Sequence, residues 1–345
     1  MGARPEVLAD CILRVGVHPA SMPLMHLIPI IVALGASLIA AATPAAETFP
    51  QRPIRLVVPT GAGGNTDTFA RVLAERLRVR LGQPVIVDNR PGADGIVGSE
   101  IVARANADGY TLLMAFPTHP VNPFLHANMP YDTLNDFAPV SMVTSVTQVL
   151  LVNPKVSARS IRELIALASE KPGALNSGAV ARGSLGDLCT ELFESLAKVK
   201  FTHIAYKGAP QVMTALIAGE VQVYFAPPVV AIPQVKAGRV RALGVSTRLR
   251  LASLPDVPTI ADTGLPGYEV VGWNGVLAPA QTPRNVVERL HAAIVQVVRS
   301  PEFEAETAAQ GVSAIGNTPD EFARVIRTDM EKWAKLLKGG GARTD

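Results

Sequence analysis

The sequence predicts an α/β fold in which mixed sheets carry helices on their faces and the chain is divided between two units. Short apolar runs of strand length alternate with longer runs whose apolar residues recur at helical spacing. Glycine-rich turns join several of these runs, as in βα connections. The alternation begins again near Asn153–Pro154, and 345 residues are enough for two domains.

Composition argues against a nucleic-acid partner. The chain is 48% hydrophobic and 18% charged, its net charge is +3, and its basic residues are scattered. Aromatic residues make up only 5%, so platforms for base stacking are not expected either. Cys189 lies among Leu188, Leu192 and Phe193 at helical spacing, which favours a buried hydrophobic residue over a nucleophile.

Residues 1–46 are interpreted as a secretory signal peptide and left out of the fold. Leu27–Ala42 is apolar, and small residues within Ala40–Ala45 offer cleavage sites. The alternative is an uncleaved anchor, but the apolar run is roughly 16 residues and a span prefers about 20. Either Met22 or Met25 is a candidate for the true start. We therefore predict an exported protein.

The first candidate binding segment is the glycine-rich loop Pro59–Asp67. It follows a predicted strand, Ile54–Val58, and precedes a helix that begins near Phe69. Helix N-termini offer unpaired N–H groups and partial positive charge, so the loop suits an anion. The alternative is a tight βα connection without a site. Asn65 or Thr66 is the predicted N-cap. The candidate ligand-binding residues are Thr60, Ala62, Gly63, Gly64, Asn65, Thr66 and Asp67.

A second glycine-rich loop, Asp88–Gly95, follows the predicted strand Val85–Val87 and opens another helix. Consecutive parallel strands place their C-terminal loops at one sheet edge, so both loops are expected to share a pocket. A third strand, Tyr110–Phe116, should bring Pro117–Pro120 to the same edge. The candidates here are Gly95, Ile96, Val97, Gly98 and His119.

The second unit contains a comparable turn, Leu175–Ser184, which enters a helix. Ala181, Arg182, Gly183 and Ser184 are expected to meet an anion from the opposite side. The alternative is an ordinary turn with a serine N-cap.

The rest of the chain supplies further strands and helices. We predict strands at Phe137–Val140, Gln148–Val152, Thr202–Tyr206, Val221–Phe225, Arg241–Ser246 and Tyr268–Leu277. We predict helices after Ser160, up to Ala218, over Arg284–Arg299 and over Thr318–Leu337, with Trp333 in the core.

No catalytic constellation is found in the sequence. His119, His126, His203 and His291 are not spaced as metal ligands, and HExxH and GxSxG are absent. The first loop lacks the Lys and Ser/Thr ending of a P-loop, and Gly61–Gly64 is not GxGxxG. A dinucleotide-binding site would rest only on Asp88, which lies about 20 residues after the first loop, where such sites have the acid that binds the ribose. No cofactor, metal ion or catalytic residue is predicted.

Six sequence motifs are distributed along the chain. The motifs are Arg52–Pro59 with Gly63–Gly64 and Asp67, Leu81–Ala93, Asp108–Leu113, Tyr206–Gly208, Leu254–Thr259 and Gly264–Glu269. In this order they resemble the Bug-type periplasmic solute-binding proteins of tripartite tricarboxylate transporters, and the resemblance covers about residues 49–340.

The resemblance implies a two-lobed type II periplasmic binding protein, with the ligand cleft between the lobes. Lobe 1 is expected to comprise residues 47–147 and 271–345, and lobe 2 residues 148–270. Backbone N–H groups of Ala62–Asp67 and Gly95–Gly98 are expected to hold the ligand carboxylate, and Ala181–Ser184 closes on it from lobe 2. Crossovers near residues 148 and 270 are the expected hinge.

Two positions depart from the family pattern and bear on the ligand. Asp187 stands where the family commonly has His, and Ala226 follows Phe225 where an acidic residue is common. Without that acid the site is expected to prefer a carboxylate that has no ammonium group, such as a di- or tricarboxylate or an aromatic acid. Arg182 either contacts a second carboxylate or lies in solvent.

The family therefore implies a monomeric solute-binding protein that binds a carboxylate and delivers it to membrane permease subunits. A nucleotide-using dehydrogenase or transferase is the alternative from another class. A ligand-loaded partner of a signalling receptor would share the same site.

Overall fold

The computed structural model describes residues 49–337, and the predicted signal segment 1–46 lies outside them. Its strands are β1 (Ile54–Val58), β2 (Val85–Asn89), β3 (Thr111–Ala115), β4 (Phe137–Val146), β5 (Val149–Val152), β6 (Asn176–Ala179), β7 (Thr202–Ala205), β8 (Val223–Ala226), β9 (Arg241–Val245), β10 (Gly272–Pro279) and β11 (Val312–Ala314).

The helices lie between these strands and after them. They are α1 (Asn65–Leu81), α2 (Ile96–Ala103), α3 (Asn122–Leu125), α4 (Ile161–Glu170), α5 (Leu185–Ala197), α6 (Ala209–Ala218), α7 (Pro228–Lys236), α8 (Ile260–Thr263), α9 (Arg284–Val298), α10 (Pro301–Ala309) and α11 (Pro319–Leu337). Within residues 49–337, no helix combines the length and apolar character that crossing a membrane requires.

Two mixed sheets organise the described residues. The first has the order β11-β4-β10-β3-β1-β2, and β2, β1 and β3 run parallel in it. The second has the order β7-β6-β8-β5-β9, and β7, β6 and β8 run parallel. Because parallel strands end at the same sheet edge, the loops after β1, β2 and β3 lie together, as predicted.

Several elements were missed by the sequence analysis. β6 has the sequence Asn-Ser-Gly-Ala, which lacks the apolar pattern of a strand and was interpreted as part of a turn. It is nevertheless a mostly buried strand that pairs with β7 and β8. Glycine at position 178 lets α6 pack closely, since a Cβ there would lie 2.5 Å from Val212. Helix α7 was not predicted, and it contains two prolines, Pro228 at its start and Pro233 in its interior. The tail holds α10 and β11 besides the two expected helices.

Two chain crossovers connect the sheets. The chain passes from the first sheet to the second between β4 and β5, and returns between β9 and β10. The buried Ser246 hydroxyl ties these crossovers together, since it accepts from Gln148 N–H at 2.9 Å and donates to Val270 C=O at 2.8 Å. This connectivity supports the proposed division at residues 147/148 and 270/271.

Helix α11 packs on the cores of both sheets. Phe322 and Ile326 belong to a cluster beside the first sheet, whereas Trp333 and Leu337 belong to a cluster that contains Phe225 of β8. Trp333 is 3% exposed, so its predicted core position is confirmed. The helix therefore links the two halves of the molecule along its length.

We expect Gly275→Ala to lower the free energy of unfolding by about 1–3 kcal/mol, because an added methyl overpacks the core. A Cβ at Gly275 in β10 would lie 2.2 Å from the Phe322 ring, which is fully buried. Chemical denaturation of the unliganded protein measures the change. Gly61→Ala is the control, since no atom lies within 4 Å of its added Cβ. Equal stability of the two variants would contradict the close approach.

Candidate functional site

A cleft of about 360 Å³ lies where the strand ends of the two sheets meet. Both sheets contribute to its wall, and so does Gln148 of the crossover between β4 and β5. The lining residues are Asn65, Thr66, Asp94, Phe116, Pro117, Thr118, Val146, Gln148, Val180, Ala181, Arg182, Ser184, Leu185, Gly186, Ala209, Tyr224, Phe225, Pro227 and Asn274. Helix starts from both halves of the molecule therefore face one cavity.

The start of α1 is held in place by Asp67. Gly63 takes a left-handed conformation at φ +83°, and its N–H donates to the Asp67 carboxylate at 2.8 Å. Arg71 and Asn89 donate to the same carboxylate at 2.9 and 2.8 Å. Burial alone raises the pKa of Asp67, but these hydrogen bonds outweigh it and the pKa lies below its ordinary value. Asp67 is therefore a buried anion with its charge offset by Arg71.

The predicted N-cap of this helix was wrong. The N-cap is Gly64, with extended backbone and no side-chain cap, and Asn65 is the first helical residue. The Asp67 carboxylate accepts from the N–H of Gly63, which precedes the cap. Asn65 and Thr66 are the first two helical residues, so their N–H groups have no intrahelical acceptor, and both residues line the cleft.

A buried polar chain fixes the cleft floor. Thr66 Oγ1 donates to Asn274 Oδ1 at 2.9 Å, and Asn274 Nδ2 donates to Thr144 Oγ1 at 3.1 Å. Asn274 lies in β10 and is 3% exposed. Because each of these polar groups is paired, the orientation of the first turn of α1 is set by the sheet beneath it.

The second loop approaches the cleft through Asp94. Its carbonyl accepts from Thr118 Oγ1 at 2.9 Å, and its carboxylate lies 3.1 Å from His126 Nε2. Gly95 and Gly98 allow the close packing behind it. A Cβ at Gly95 would meet Phe116 at 2.6 Å, and one at Gly98 would lie 2.7 Å from Pro59.

Helix α5 begins in the same way as α1. Gly183 has φ +74°, and its N–H donates to Asp187 Oδ2 at 2.9 Å, again four residues ahead. Ser184 is the N-cap residue, but its hydroxyl donates to Ala181 C=O at 2.7 Å instead of capping the helix. Leu185 and Gly186 line the cleft, and their N–H groups have no intrahelical acceptor.

A histidine offsets the charge of Asp187. His203 Nδ1 lies 2.9 Å from Asp187 Oδ1, and His203 Nε2 lies 3.3 Å from Glu194 Oε2. The hydrogen bond to Asp187, followed by that to Glu194, raises the pKa of His203 to about 9 despite burial. His203 is therefore an imidazolium at neutral pH.

Arg182 supplies a further cation beside the start of α5. Its guanidinium lies 3.1 Å from Glu191 and 4.0 Å from Asp187, and its side chain is 44% exposed. Asp187, Glu191 and His203 present ligand atoms within 4.8 Å of one another, which is close enough for a metal ion. Arg182 already pairs with both carboxylates of that group, so their charge is balanced within the protein.

The structure brings some of the predicted site residues into the cleft and leaves others behind its wall. Those that line the cleft are Asn65, Thr66, Ala181, Arg182, Ser184 and Phe225. Those outside the lining are Thr60, Ala62, Gly63, Gly64, Asp67, Gly95, Ile96, Val97, Gly98, His119, Gly183 and Ala226.

His119 and Ala226 lie in the core rather than along the lining. His119 is 1% exposed, packs on Tyr131 and Phe137, and has a pKa lowered to about 4 by burial. It is therefore neutral at physiological pH. Ala226 is fully buried at the end of β8. For Ala226 the sequence could not separate core from lining, because neighbouring residues on a strand face opposite sides.

Several lining residues were not predicted from the sequence, and they differ in how clearly the sequence marks them as functional. Pro117 and Thr118 were expected at the correct sheet edge but were not included among the site residues. Asn274 interrupts an apolar strand, which is a usable signal for a functional polar group. Tyr224 and Ala209 gave no signal, since each matches the pattern of an ordinary strand or helix start.

We expect stability to fall as the pH rises from about 6.5 to about 9, because folded His203 keeps its proton and the unfolded chain loses it. The contribution is fully present below pH 6.5, amounts to about 3 kcal/mol by linkage, and is lost above the folded pKa. Urea denaturation across this pH range measures the slope. His203→Gln should flatten it, whereas an unchanged slope in that variant would assign it to other groups.

Comparisons with known proteins agree with this architecture. The family model described as the tripartite tricarboxylate transporter family receptor matches residues 69–341. Protein BugT of Bordetella pertussis (strain Tohama I) is 36% identical over 305 residues, which cover 88% of this chain and 94% of BugT.

Two solved structures share the fold. The R. palustris protein Rpa4515, solved with adipate, is 34% identical with a TM-score of 0.74, over 85% of this chain and 98% of that one. MatC from Rhodopseudomonas palustris, solved with malate, is 29% identical with a TM-score of 0.72, over 84% and 100%. The fold is the two-lobed one of periplasmic binding proteins, which are not enzymes. The chain therefore belongs to the receptor family of the tripartite tricarboxylate transporters, as its motifs predicted.

Proposed function

We propose that this protein binds a small carboxylate in the cleft and delivers it to the membrane permease subunits of a tripartite transporter. The protein works in the periplasm as a monomer after its signal peptide is removed. Relatives solved with adipate and with malate support a carboxylate ligand. A loaded form that docks on a signalling receptor would use the same site, and binding measurements do not separate these two roles.

One observation carries the proposal: the starts of α1 and α5 face the same cleft from different sheets. Each start presents N–H groups without an intrahelical acceptor and the positive end of a helix dipole. A carboxylate between them accepts hydrogen bonds from both lobes. The anion is then desolvated but paired, which is the condition for burying a charge.

The two buried aspartates next to these helix starts do not cancel their attraction for an anion. Asp67 is paired with Arg71 and Asp187 with His203, so each negative charge has a cation at 2.9 Å. Arg182 lies in the cleft lining and balances the charge of Glu191, which is 3.1 Å away. The net field at the carboxylate position is therefore set mainly by the helix ends.

The proposed ligand class lacks an ammonium group. Ala226 offers no carboxylate, and the Asp94 carboxylate is turned to His126 at 3.1 Å. Much of the remaining wall is apolar or aromatic, including Phe116, Val146 and Phe225. These surfaces suit a hydrocarbon chain or an aromatic ring between polar ends.

The proposed capture step is closure of the lobes about the two crossovers. Ser246 joins the crossovers, and Thr147 Oγ1 lies 3.2 Å from Thr247 Oγ1 beside it. These contacts hold the two crossovers together as a compact pivot. Small-angle scattering with and without ligand would detect the closure.

We expect di- and monocarboxylates, but not their amides, to raise the melting temperature of the protein. A ligand at 100 times its Kd stabilises the native state by about 2.7 kcal/mol. A thermal-shift panel of aliphatic diacids, tricarboxylates, aromatic acids and amino acids measures the preference. Aspartate stabilising more than succinate would contradict the ammonium-free class, and no shift with any acid would contradict the proposed function.

We expect Arg182→Gln to weaken binding of mono- and dicarboxylates alike, by roughly 3- to 10-fold, because a rim charge acts on any anion. Calorimetry at low and high salt measures the effect, which should shrink as salt rises. Arg289→Gln removes the same charge at an exposed position outside the cleft lining and is the matched control. A loss confined to dicarboxylates would instead assign Arg182 to a second carboxylate.

A further inference from the structure

Tyr224 is a buried residue of the cleft whose hydroxyl is unused within the protein. It lies on β8 in the middle of the second sheet, paired with Leu151 and Gly178 of neighbouring strands. The residue lines the cleft and is 1% exposed. Among residues 49–337, its hydroxyl has no hydrogen-bond partner. Buried hydroxyls are normally paired, so an unpaired one at a cleft wall calls for a partner from outside the chain.

The start of α6 meets the same part of the cleft. Ala209 is the first residue of this ten-residue helix and lines the cleft, while its N-cap Gly208 has no side chain to cap the helix. Gln211 N–H already donates to Gly208 C=O at 3.0 Å, and Pro210 has no N–H. Ala209 therefore supplies the N–H group at this helix start that has no intrahelical acceptor.

Tyr224 and Ala209 lie on one side of the second sheet, away from α5. Tyr224 packs in the cluster that contains Val212 and Leu216 of α6, whereas its neighbour Phe225 packs in the cluster that contains α5 residues. Successive strand residues face opposite sides of a sheet, which explains the difference. The Tyr224 side of the cleft is thus separate from the α5 start.

We propose that the Tyr224 hydroxyl and the Ala209 N–H form a second subsite, which binds the far carboxylate of a dicarboxylate ligand. The inference rests on the proposed function, in which the near carboxylate lies between the starts of α1 and α5. Both groups of the subsite are donors, so they select an acceptor oxygen. The dipole of α6 favours a negative charge there.

The protonation state of Tyr224 agrees with a donor role. Burial raises the pKa of Tyr224 above its ordinary value, so the phenol keeps its proton at neutral pH. The cleft is also large enough for a ligand with two ends. Its volume of about 360 Å³ lies within the range of pockets that bind small molecules.

The test compares diacids with monoacids of equal chain length, such as adipate with hexanoate and glutarate with pentanoate, by calorimetry. Tyr224→Phe removes only the hydroxyl. We expect it to weaken diacid binding about 10- to 100-fold, the usual effect of losing a hydrogen bond to a charged group, and to change monoacid binding less than 2-fold. Tyr206→Phe, a half-buried tyrosine outside the cleft lining, is the matched control and should change neither.

A second measurement separates a ligand subsite from a structural role. The unliganded Tyr224→Phe protein should melt at or above the wild-type temperature, because it loses an unpaired polar group. A lower melting temperature would overturn the proposal, since it would show that a buried water already satisfies the hydroxyl. An unchanged diacid-to-monoacid ratio in Tyr224→Phe would also overturn it while leaving carboxylate binding intact. Failure of the wild type to bind any acid would overturn the proposed function itself.

Discussion

The arrangement depends on one contact that occurs once in each half of the molecule. A glycine in the left-handed conformation donates its N–H to an aspartate four residues ahead, in the first turn of the following helix. Gly63 and Asp67 form this contact in one half, and Gly183 and Asp187 form it in the other. It bends the chain sharply and turns the free amides of the helix start toward the cleft. Glycine is needed because other residues are strained at these backbone angles.

Each of these contacts carries a buried negative charge, and the protein balances it with a different cation. Arg71 lies one helical turn along α1 from Asp67 and is permanently charged. His203 reaches Asp187 from β7, and its charge depends on its pKa of about 9. The two lobes therefore present similar helix N-termini to a ligand. Only in the second lobe is the aspartate paired with a side chain, His203, that can lose its charge at moderately alkaline pH.

Much of the fold was predictable because the relevant signals are local. The strands Ile54–Val58 and Arg241–Val245 and the helix Arg284–Val298 have apolar patterns that agree with their burial. β6 and α7 were not predictable, because small polar residues and prolines gave signals opposite to the structure formed. In both cases packing against α6 and the sheet outweighs weak local preference. The sequence predicted three loops around the cleft, but only some of the residues in these loops line its wall.

Local residue patterns were enough to identify the family, the three loops that enter helices and the lack of a catalytic motif in the sequence. These properties lie in contiguous stretches whose residue types and spacing have a direct physical meaning. Which side chains face the cleft depends on the tertiary structure. Asn274 and Tyr224 lie on strands of different sheets, and their direction depends on sheet register and strand pairing. A shift of one residue in register reverses the face of every side chain, so no local pattern can specify it.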